Sequence, residues 1–124
     1  MKNSVWFTIL AGLLLTSQPA AAKPTLENYF ECRTKDGVAL SEVIAFKEDY
    51  EAAARAAGFE GYNVKVMIPI YHEKMGGGRF TWYGSYLNYE VWAEVNKWFG
   101  QSEWPARFYA IVDCKSSSFW RAID

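Results

Sequence analysis

One histidine, two cysteines and four prolines in 124 residues leave few ways to build a reactive centre. A metal site needs several His, Cys, Asp or Glu side chains at ligand spacing, and redox dithiols need a C-x-x-C pair. Neither pattern is present, so no metal and no thiol chemistry is expected. His72 has no nucleophile and acid arranged with it as a triad, and a lone histidine at a strand end reads as an exposed or capping residue. Lys and Arg form no run, and 13 of them against 14 Asp and Glu give a net charge of −1. Tracking a phosphate backbone needs a basic surface, so nucleic acid is not an expected partner. No apolar run approaches the roughly 20 residues that span a bilayer as a helix, and no membrane span is expected.

What the chain does contain begins with an address. Lys2, an apolar run from Val5 to Leu15 and Ala20-Ala21-Ala22 have the order of an export signal, with small residues where a signal peptidase cuts. Cleavage is expected after Ala22, leaving residues 23–124 as a single domain in the periplasm or secreted. The residue directly after the cut is Lys23 and not a cysteine, which disfavours a lipid anchor. Six Trp, eight Tyr and eight Phe are present, and only Trp6 and Phe7 leave with the signal. That density exceeds what one small core absorbs, so some aromatics are expected to line an interface or a ligand cavity. Cys32 and Cys114, near opposite ends of the mature chain, favour a disulfide over two buried thiols in an exported protein.

The stretch from Arg79 to Gly100 organises the rest. Phe80, Trp82 and Tyr86 alternate with Arg79, Thr81, Tyr83 and Ser85 as in a strand, and Gly84 leaves room for a neighbouring aromatic. Asn88 then caps a helix whose stripe is Val91, Trp92, Val95, Trp98 and Phe99, and Gly100 is placed for a left-handed stop. Before it, Tyr29 to Arg33 forms a first strand with Asp36-Gly37 as its turn. A helix from Leu40 carries Val43, Ile44, Tyr50 and Ala54 and stops at Gly58. Asn63 to His72 alternates as an edge strand, marked as such by Pro69. The Gly76-Gly77-Gly78 loop precedes no helix, so it reads as a hairpin connection and not a phosphate cradle. Arg107 to Cys114 alternates as a fourth strand, and Lys115 to Asp124 reads as a polar tail with one short turn.

The resulting order, βαββαβ, resembles the ferredoxin-like fold: an α+β domain with antiparallel sheet order 4-1-3-2 and two helices on one face. In that order strands 1 and 4 are neighbours, which brings Cys32 and Cys114 within bridging reach if the register pairs them. The opposite face would carry Tyr29, Met67, Tyr71, Tyr83, Tyr109 and Ile111, with Arg33 and Arg107 beside Glu31 and Asp113. Such a face is better covered than bare. In this it resembles the dimeric α+β barrel superfamily, and Glu31-Cys32, Asp36-Gly37, Gly84-Ser85 and Asp113-Cys114 resemble its small exported bacterial members.

The resemblance implies a homodimer packed through the open sheet face and a pocket for a small hydrophobic or aromatic ligand, with Tyr29, Arg33, Met67, Tyr71, Tyr83, Arg107 and Tyr109 as candidate contacts. Haem-degrading relatives use an Asn, a Trp and a His. Here Trp82 is present, but His72 does not lie on the second helix, so that triad is not carried over. No cofactor and no catalytic residue is expected. The leading functional expectation is a ligand-binding or protein-interaction module, and the second is a cofactor-free monooxygenase holding an aromatic substrate among Tyr71, Tyr83 and Tyr109.

Overall fold

The computed structural model describes residues 23–70 and 76–123; the expected export signal, Tyr71 and His72 lie outside them. The elements are β1 (Leu26–Thr34), α1 (Leu40–Ala56), β2 (Tyr62–Met67), β3 (Arg79–Tyr86), α2 (Tyr89–Gln101), α3 (Trp104–Ile111) and β4 (Val112–Arg121). The four strands form one antiparallel sheet in the order β2-β3-β1-β4, which counted from the β4 edge reads 4-1-3-2. All three helices pack on one side of it.

Local chemistry accounts for most of these boundaries. Asn88 Oδ1 accepts from the Val91 amide at 2.9 Å, satisfying one of the free amides at the start of α2. At the start of α1 the Ala39 amide donates to Glu42 at 2.7 Å. Gly58 ends the α1 region at φ +91°, a conformation that costs an L side chain dearly. Gly100 does not play that part: α2 runs through it to Gln101, and Ser102 Oγ closes the helix on the Phe99 carbonyl.

The expected fourth strand at Arg107 to Cys114 is corrected. Trp104 to Ile111 is helical, and the strand begins only at Val112 and runs to Arg121 through what reads as a polar tail. The reason lies in spacing, because residues four apart share a face in both periodicities. Phe108 and Val112 therefore fit a strand as well as a helix. Pro105, in the first turn, favours the helix. The expected strand to His72 is also shortened: β2 ends at Met67, and Ile68 and Ile70 are exposed. On α1 the stripe includes Phe46, whereas Ile44 faces solvent.

Alternation along β1 and β3 sends Leu26, Phe30, Cys32, Phe80, Trp82 and Tyr86 into the helix-side core, where Phe46 and Phe108 meet Trp82 at 6.0 and 4.9 Å between ring centroids. Cys32 and Cys114 stand directly opposite on β1 and β4 and form a disulfide, with Cα atoms 4.0 Å apart. Just beside them the register shifts at Glu31/Cys32, so Lys115 is the extra residue of a bulge. Beyond it Phe119 turns back to the helix side and packs on Trp92 at 5.2 Å.

Candidate functional site

The sheet has two sides of different chemistry. On the open side, Tyr29 of β1 and Tyr83 of β3 are cross-strand partners with ring centroids 5.1 Å apart. Both hydroxyls donate to Glu27, Tyr83 at 2.6 Å and Tyr29 at 3.2 Å. Desolvation, and then the bond to Glu27, push the Tyr83 phenol up to about 12; the same causes raise Tyr29. Lys65 lies over the Tyr83 ring at 5.7 Å. On β4, Ser116 donates to Glu31 at 3.0 Å and the Trp120 indole to Ser118 at 2.9 Å. Glu27, Tyr29, Glu31, Ser116, Ser118 and Trp120, together with Met67 and Thr81, border a broad, shallow basin of about 640 Å³.

This face joins some of the expected contacts and separates others. Tyr29, Met67 and Tyr83 come together, and Arg33 sits at the far end of β1 opposite Asp113. Arg107 and Tyr109 do not belong to it, because α3 carries them to the other side of the sheet. Arg107 lies over Trp104 at 4.3 Å, with Asp49 and Glu103 as its acidic neighbours at 3.9 and 3.8 Å. A substrate held jointly by Tyr83 and Tyr109 is therefore ruled out by the sheet between them. Ile111, also on α3, leaves the open face as well. Glu27 and Trp120 are additions, and with Glu31 and the serines they make the face more polar than the expected aromatic one.

The helix side holds the more enclosed feature. A cavity of about 70 Å³ lies between the sheet and the three helices, walled by Phe30, Phe46, Trp82, Phe99 and Phe108, with Asn96 and Tyr109 at its solvent end. Three tyrosines from three elements line it: Tyr50 of α1, Tyr62 of β2 and Tyr86 of β3. Tyr50 and Tyr62 hydroxyls are 3.0 Å apart and share a hydrogen bond, and the Tyr62 and Tyr86 rings stack at 4.9 Å. Gly84 makes the space. A Cβ there would meet the Tyr86 hydroxyl at 3.2 Å and the Tyr62 ring at 3.5 Å. Position alone does not reveal this cluster in the sequence. A usable signal exists, however: each of the three tyrosines shares a face with core residues, and a buried hydroxyl needs a partner.

Burial holds these phenols in their neutral form. It pushes Tyr50 up to about 12 against the lowering effect of its bond to Tyr62, and it raises Tyr62 and Tyr86 further. In the unfolded chain each releases its proton near pH 10. Above that pH the folded state holds more protons than the unfolded one, so unfolding free energy falls as pH rises, by about 1.4 kcal/mol per pH unit for each tyrosine. Urea unfolding is expected to show stability insensitive to these groups below about pH 10 and a steep loss above it. The loss should be smaller for a Tyr50→Phe variant.

The described residues form an α+β fold with four antiparallel strands and three helices. The solution structure of a hypothetical protein of Arabidopsis thaliana is similar to it, with a TM-score of 0.59 and 14% identity, over 83% of this chain and 92% of that one. This is likeness of fold alone. No protein-family model and no curated protein matches the chain. No helix among the described residues is long and apolar enough to cross a membrane, and none of their His, Cys, Asp and Glu side chains cluster as a metal site.

Proposed function

We propose that the chain is an exported ligand-binding module of the ferredoxin-like, dimeric α+β barrel type, with its ligand on the helix side of the sheet and a second copy of the chain on the open side. The observation that carries the ligand reading is the cavity beneath α1, α2 and α3, in which neutral tyrosine hydroxyls face aromatic walls. Binding sites combine mostly apolar lining with a few placed polar groups, and this one has both. The open face supports the partner reading. Tyr29, Met67 and Trp120 give it aromatic and apolar area, and a basin so shallow suits a flat protein surface better than a small molecule. The disulfide supports export, since such cross-links persist in oxidising compartments.

A binding role fits the cavity better than the monooxygenase reading, because Tyr83 and Tyr109, two of the three tyrosines that reading required, lie on opposite sides of the sheet. Native mass spectrometry of the protein purified from its own host tests both parts at once. The expected species has twice the mature chain mass with a retained small molecule; a ligand-free monomer at tens of micromolar contradicts the proposal.

A further inference from the structure

The open face carries charges that its own side chains leave unpaired. By alternation Glu27, Tyr29, Glu31 and Arg33 of β1 point to it, as do Arg79, Thr81 and Tyr83 of β3. Arg33 and Arg79 are direct cross-strand partners at one end of the sheet, and like charges placed so destabilise a strand pair. Neither forms an ion pair among the described residues, although Asp113 stands across from Arg33 on β4. The carboxylates of Glu27 and Glu31 form none either. They accept hydroxyls, Glu27 from Tyr29 and Tyr83 and Glu31 from Ser116. Glu27 lies at the opposite end of β1 from Arg33.

A face that is basic at one end and acidic at the other can pair with a copy of itself. Two identical subunits close on each other about a two-fold axis, and two directions of that axis stack sheet on sheet. With the axis along the strands, the arginine end of one copy lies over the arginine end of the other, and the guanidiniums of both meet with Asp113 alone beside them. With the axis across the strands, each arginine end lies over the Glu27 end of the other copy. Like charges brought together cost free energy and opposite charges fix register, so the second arrangement is favoured. Lys65 takes no part in this contrast, since it lies over the Tyr83 ring of its own chain.

We infer that the second copy binds the open face about a two-fold axis running across the strands, with the partner's Glu27 set against Arg33 and Arg79. The inference rests on the proposed open-face dimer and adds its orientation and its contacts. Sedimentation equilibrium of the disulfide-intact mature protein tests it with charge reversals. The double variant Arg33→Glu, Arg79→Glu and the single variant Glu27→Arg each set like charges against each other at both ends of the dimer. Each should raise the dissociation constant at least about tenfold. An equimolar mixture of the two should form the heterodimer, seen by native mass spectrometry, at close to the native affinity, because every contact in the mixed pair again joins opposite charges. Should Glu27→Arg fail to fold, Glu27→Gln replaces it, and its weaker dimer should lose most of the native sensitivity to salt. Variants that dimerise as tightly as the native chain, or a mixture without heterodimer, overturn this orientation and leave the open-face dimer standing. A native chain that stays monomeric at tens of micromolar overturns the dimer itself.

Discussion

Replacing both Cys32 and Cys114 by alanine is expected to lower the unfolding free energy by about 4–5 kcal/mol, read from urea unfolding of the variant against the oxidised protein. The bond closes a loop with a sequence separation of 82, and loop-closure entropy in the unfolded chain sets that figure. The folded state supplies a further reason for a large effect. The bond joins the central strand β1 to β4, an edge strand whose outer half is mostly exposed. Without the bond, β4 is held by backbone pairing, Val112 and the Phe119–Trp92 contact, so amide exchange in Ser116–Arg121 should quicken more than exchange in β3. A variant as stable as the oxidised protein would mean that the cross-link contributes nothing to the fold. Domains of this size are stable by only about 5–15 kcal/mol, so the expected loss is a large fraction of the whole.

Phe46→Ala should cost about 3–5 kcal/mol and broaden the near-ultraviolet signal of the tryptophans. Phe46 is 7% exposed and sits where all three helices meet the sheet, with ring contacts to Tyr50, Trp82, Trp104 and Phe108 between 5.5 and 6.1 Å. Truncating it removes the apolar contact of one ring and leaves a void that four large, rigid neighbours cannot easily close. It also enlarges the space next to the tyrosine cavity, which it lines. A loss below about 1 kcal/mol would show that the helices are not fastened at this point.

The parts of the fold legible from residue order are those whose signals are local. Asn88, the Val91–Phe99 stripe, Gly58 and the alternation of Arg79 to Tyr86 each name an element by themselves. The alternation also placed Tyr29, Met67 and Tyr83 on one face. The fourth strand was not legible, for two physical reasons. Phe108 and Val112 satisfy helical and extended periods equally, and Pro105 decides between them only once the helix is known to continue. Ser116-Ser117-Ser118 has little strand preference of its own; it is extended because β1 presents a row of free backbone groups there and Phe119 finds Trp92. Arg107 and Tyr109 went to the wrong side of the sheet for the first of these reasons.

The cavity was hidden for a different reason. Its polar groups come from α1, β2 and β3, residues 50, 62 and 86, and nothing in their spacing says that three hydroxyls converge. Gly84 is the one local sign, since an absent side chain amid strand aromatics marks space above the sheet, and Tyr62 and Tyr86 are what approach it.

The account turns on which side of the sheet a small ligand enters. Amide chemical shifts of the mature protein, compared before and after removal of the molecule retained on purification from its host, read that directly. The expected result is movement at Gly84, Tyr86, Asn96 and Phe99, around the space beneath α2. Shifts confined to Thr81 and Ser116–Trp120 on the open face would contradict it.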